Sequence, residues 1–155
     1  NRMLTLIVTH LACAAGGFAL GIYALPILRA PDAPASAEVA GLQIQSSYSG
    51  TVRRDLADSD YLHGGEGEVS IGDAAVTLVG SIAPGPDYRL YLSPEFVETE
   101  ADFMASKAKM VQVGPVKTFE NFIVPIPDGI DPSAYNTVII WCEAFGQFIT
   151  AAQYR

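Results

Sequence analysis

The stretch "MLTLIVTHLACAAGGFALGIYALPIL", Met3 to Leu28, runs for 26 residues without an Asp, Glu, Lys or Arg. A helix facing water needs a polar face, and this one has none. It exceeds the ~20 residues that cross a hydrocarbon core of roughly 30 Å. Residues 1–30 are therefore expected to form an uncleaved N-terminal transmembrane anchor. A cleavable signal peptide is the rival reading, because "ASA" at Ala35–Ala37 is a small-residue cleavage site. Its apolar region, however, is normally only about 7–15 residues long. A buried core helix is the third reading. Cys13 makes a poor lipoprotein acceptor, since His10 stands three positions upstream where an apolar residue belongs. Pro26 lies one turn from the far end, where it disturbs little. Cys13, Gly17 and Gly21 form a small-residue row, and Gly17–Gly21 is a GxxxG through which two helices could pair. Glycine is also common in membrane helices without any such role.

Arg2 and Arg29 flank the span almost symmetrically, so charge alone does not orient it. A short N-terminal segment, one apolar span and a large following domain together suggest export of that domain. Arg2, Arg29 and Asp32 precede Ala37, which leaves 7 of the 9 Lys+Arg and 16 of the 17 Asp+Glu beyond it, about −9. Phosphate backbones are bound by Lys and Arg, so this balance argues against nucleic acid as a partner. The same sign argues against docking to anionic lipid headgroups.

Residues 31–45 form a Pro/Ala-rich linker; "RAPDAPASAEVAG", Arg29 to Gly41, has no hydrophobic periodicity and reads as extended chain. From residue 46 onward, period-two patterning and turn signals dominate. Strands are predicted at Tyr48–Arg54, Gly67–Ile71, Ala75–Val79, Tyr88–Ser93 and Phe119–Ile126, and in "NTVIIWC" and "QFITAA". Gly72-Asp73-Ala74 reads as a hairpin, and Pro125 suits a sheet edge or bulge. Pro94–Gly114 alone is rich in helix formers, with Thr99 placed to cap a helix from about Glu100 to Lys109. Asp131-Pro132 is expected to start one helical turn. The sum is an all-β antiparallel sandwich, or barrel-like sandwich, of about seven strands with one short helical insertion.

"NTVIIWCEAF", Asn136 to Phe145, sets Cys142 beside the chain's only tryptophan, Trp141. Alternation puts Val138, Ile140 and Cys142 on one face, with Ile139, Trp141 and Glu143 on the other. Both faces stay apolar until Glu143, as in a central strand nearing its exit from the core. Free cysteine is often simple core filler. In an exported domain, however, an odd cysteine is a candidate for chemistry. A reactive thiol needs a nearby cation or imidazole, and Glu143 works the other way. His63, in "DSDYLHGGEGEV", is the one histidine of the domain. A Cys–His pair could serve nucleophilic catalysis, but nothing orients the imidazole. It falls short of a structural zinc site without carboxylates. Axial ligation of haem iron is open to it; covalent haem attachment is excluded because no CxxCH occurs. "GGEG" leads into a strand and lacks lysine, so it is no phosphate loop. The acidic clusters match no EF-hand spacing and read as solvated surface.

"YSG", "HGGEGEVSI", "GPDYRLYLS" and "DPSAYNTVIIWCEAFGQFITAA" follow one another in an order that resembles the DM-thirteen domain, an extracytoplasmic electron-transfer module. The resemblance covers about residues 46–155. Its most specific piece is Trp141-Cys142 followed by Phe145 and Phe148. It implies a redox role centred on Cys142, as a bare thiol or as a ligand that holds a haem-like group. It further implies a cofactor-binding site of Cys142, His63, Trp141 and Phe145, with no separate metal site. With the anchor, it implies a single-pass protein of the bacterial inner membrane, its domain on the periplasmic side. No DOMON or cytochrome neighbour is present, so electrons would pass to another membrane or periplasmic redox protein. A non-catalytic binding, adhesion or envelope-assembly module with a structural cysteine is the competing expectation. A stand-alone enzyme is not expected.

Overall fold

A computed structural model describes all 155 residues. The apolar run forms one helix, α1, Arg2–Arg29, with no buried residue. By length and composition it qualifies as a membrane span.

Eight strands follow: β1 Tyr48–Val52, β2 Gly65–Ile71, β3 Ala75–Ile82, β4 Tyr88–Ser93, β5 Val111–Val116, β6 Glu120–Pro125, β7 Thr137–Cys142 and β8 Gln147–Gln153. They form two four-stranded antiparallel sheets, ordered β1-β2-β3-β6 and β5-β4-β7-β8. The predicted all-β sandwich is thus present, with one strand more than expected. The extra strand is β5, whose "VQVGPV" closes the helix-prone stretch. Its alternation is short and interrupted by Gly114 and Pro115, so pairing with β4 decides its state. Pro125 ends β6, an edge strand.

A second correction concerns the linker. Its latter half is helical, α2, Ser36–Gln43. The side chain of Val39 is completely buried, with α2 lying against β3 and β6. Eight residues are too few for a stable isolated helix, so tertiary packing makes this one.

The core divides in two. The larger cluster fills the space between the sheets, where Leu90, Leu92, Val138, Ile140 and Cys142 meet Val69, Ile71, Leu78 and Phe122. The smaller cluster lies on the outer face of the second sheet. There Tyr91, Ile139, Trp141 and Phe148 are covered by Phe103 of α3, Glu100–Ser106. Thr99 caps α3, accepting from the Asp102 N–H at 3.1 Å, and the 3-10 turn Lys107–Lys109 continues it. The Asp131 carboxylate accepts from the Ser133 N–H at 2.9 Å and starts the short turn Pro132–Ala134.

Gly67 and Gly80 face each other across β2 and β3, at φ 139° and 157°. A Cβ on Gly80 would stand 2.1 Å from the Glu66 carbonyl oxygen. No side chain fits there, and the glycine pair lets the two backbones close at this point.

Candidate functional site

Cys142 is the last residue of β7, opposite Tyr88 in the β4 register. Strand alternation sends its side chain between the sheets, where it is 2% exposed. Its Sγ donates to the Pro86 carbonyl at 3.0 Å. That carbonyl belongs to the Gly85-Pro86 turn leading into β4. Burial pushes the thiol pKa up; hydrogen bonds from the Phe145 and Ala144 N–H groups oppose this, while Asp87 and Glu143 reinforce it. At neutral pH Cys142 is therefore a protonated thiol, not a thiolate.

A cleft of about 400 Å³ opens beside it, lined by Cys142, His63, Tyr88 and Phe145 of the domain and by Ile22 and Tyr23 of α1. Most of its wall is apolar. Two separate segments thus meet at one cavity: the loop before β2 brings His63, and the end of β7 with its following turn brings Cys142 and Phe145. Phe145 stands at its rim, 54% exposed, in the turn between β7 and β8. Trp141 does not share this cavity. One residue out of phase with Cys142, it points to the opposite face of the sheet and stacks under α3.

His63 is oriented by a residue that sequence reading passed over. Both oxygens of the Asp60 carboxylate lie 2.9 Å from His63 Nδ1. Asp60 Oδ1 also accepts from the backbone N–H groups of Leu62 and His63, each at 2.7 Å. This fan of donors pulls the Asp60 pKa down, the His63 side chain contributing most. A proton on Nδ1 shared with a carboxylate leaves Nε2 as the ring's open lone pair, the arrangement seen in ligating histidines. The signal was an Asp three residues before the His, a local turn pattern. Tyr88 was legible as the start of a strand; its position opposite the cysteine came only with strand pairing.

A separate polar network lies on the far side of the same strand. The Glu143 carboxylate accepts from the Tyr91 hydroxyl and from Lys107 Nζ at 3.1 and 3.2 Å. Burial raises the Glu143 pKa, but these two donors outweigh it and bring the net value below the usual range. The Tyr91 pKa is raised, by burial first and then by its bond to Glu143. No group of three or more His, Cys, Asp or Glu is placed to hold a metal ion.

No curated protein and no solved structure matches this chain. A family model does, described as electron transfer DM13, over residues 57–154. The match begins after β1 and takes in β2 through β8, hence the whole cleft apart from α1. Spanning more than half of the sequence and containing both Cys142 and His63, it shows that the chain belongs to the electron transfer DM13 family.

Proposed function

We propose that this chain is a membrane-anchored, extracytoplasmic electron-transfer protein whose redox site is the Cys142–His63 cleft. The observation that carries the reading is the meeting of a thiol and a carboxylate-held imidazole in one largely apolar cavity. Family membership supports the redox assignment, and α1 supports the anchor.

The geometry favours a held prosthetic group over a bare thiol. Thiol–disulfide exchange needs an accessible thiolate. Cys142 is buried, protonated and bonded to a carbonyl that cannot take its proton. The donor set suits haem-like iron, with the His63 imidazole and the soft sulfur of Cys142 both lining the cavity. Such a group would supply one-electron reduction and oxidation. His63 would hold it, kept in orientation by Asp60. Cys142 would become a ligand only by losing its proton and giving up its bond to Pro86. Phe145 and Tyr88 would shield its face from water.

One observation favours the competing structural reading: Cys142 belongs to the main core cluster and its one polar atom is satisfied. Haemin titration of the full chain in detergent, followed by absorption, separates the two. A Soret shift that disappears in His63→Ala and changes position in Cys142→Ala is expected. A protein that gives no shift has a structural cysteine and no redox site here.

A further inference from the structure

The last turns of α1 carry Ile22, Leu25, Pro26 and Arg29 at i, i+3, i+4 and i+7, one helical face. All four line a groove of about 810 Å³ that adjoins the Cys142 cleft. Asp87, Arg89 and Lys117 of the domain line the same groove. Charged groups are costly in hydrocarbon, so this end of α1 lies outside it. The length agrees: about 20 helical residues cover roughly 30 Å, and counting from Met3 brings the chain to Ile22. Tyr23 then falls at the interface, where aromatic side chains are enriched.

Phe145 and Ile22 both line the cleft and the groove, so the exposed Phe145 stands at the same level. The charges around it oppose the acidic balance of the domain. Lys107 and Lys109 are paired with Glu143 and Glu95, whereas Lys117 has no carboxylate partner. Arg29, in the last turn of the helix, takes part in none of the ion pairs either.

We propose that the Phe145 end of the domain rests on the bilayer surface, with Phe145 among the headgroups and Lys117 and Arg29 facing anionic lipid. The Cys142 cleft then opens toward the lipid interface rather than the bulk aqueous phase. This rests on α1 spanning the membrane and deepens that reading. It also refines the charge argument: the domain is acidic as a whole, but its membrane-facing edge is not.

The test uses the full chain reconstituted in phosphatidylcholine–phosphatidylglycerol vesicles containing a lipid spin-labelled near the headgroup. Phe145→Trp is compared with Ala134→Trp, an exposed site before the start of β7 and so at the far end from Cys142. Each is read as the difference from the unsubstituted protein. The emission added by Phe145→Trp is expected to be quenched at least twofold, and less so when Lys117→Glu is combined with it. The emission added by Ala134→Trp is expected to stay unquenched. Equal response at the two positions overturns the proposal. Carbonate extraction separates the failures. A protein that resists extraction yet shows no quenching at position 145 loses only the docking proposal; one that is extracted loses the anchor as well.

Discussion

The rings of Phe103 and Trp141 stack 3.9 Å apart between centroids and 10° from parallel. Tyr91 meets the edge of Phe103 at 5.2 Å and 86°. Lys107 Nζ lies 5.5 Å from both the Tyr91 and Phe103 ring centroids. The helical insertion is therefore clamped to the outer face of β7, away from the cleft, by aromatic contact and a cation. Phe103→Ala is expected to cost about 3 kcal/mol in denaturant unfolding. It should also red-shift the native emission of Trp141. Unchanged emission with full stability would show that the insertion is not held by this stack.

Glu143 makes the clamp sensitive to acid. Its folded pKa is depressed below the ordinary 4.5, so its stabilisation is present above that value. It fades as pH falls through the depressed value. Glu143→Gln is predicted to flatten the acid limb of the stability curve relative to the unsubstituted protein. Lys107→Met should do the same, since it removes the charge that favours the carboxylate. Parallel acid limbs in all three proteins would contradict the assignment.

The thiol acts in the opposite pH direction. Cys142 has a folded pKa above its ordinary 9.0, so the fold holds the protonated form. Its contribution is complete below the unfolded pKa and is lost as pH rises through the folded value. In a Cys13→Ala background, Cys142 is expected to resist Ellman's reagent at pH 7 and to react at once on unfolding. Cys142→Ser keeps a donor for Pro86 and should be more stable than Cys142→Ala by about 1 kcal/mol. Rapid native labelling would instead place the thiol at the surface.

Gly80→Ala tests the closure of β2 on β3. The added methyl meets the Glu66 carbonyl oxygen, in a backbone conformation that alanine seldom adopts. A loss of about 2–3 kcal/mol is expected from strain and displaced backbone. Thermal unfolding measures it. Gly41→Ala serves as the control, having nothing within 4 Å of its Cβ, and should be neutral or better.

Much of this protein follows from local pattern. Twenty-six residues without a charge predict one continuous apolar helix, and they form α1. Period-two alternation in "NTVIIWC" sorted Cys142 from Trp141 before any strand was paired, because successive side chains in a strand take opposite faces. Thr99 and Asp131 capped where their chemistry predicts. Other features were decided by packing. Val39 has no periodic partners in sequence, yet burial against β3 and β6 makes α2 a helix. "VQVGPV" becomes a strand only because β4 offers it hydrogen bonds. The cleft was the least legible part. His63 and Cys142 lie 79 positions apart in the chain, and only the fold brings them to one cavity. Asp60, which holds the imidazole, and Ile22 of α1, which closes the wall, became relevant with them. Sequence by itself determined which faces each segment must bury, because solvent exclusion acts residue by residue. Tertiary structure decided which functional groups meet, because that depends on where separate segments end.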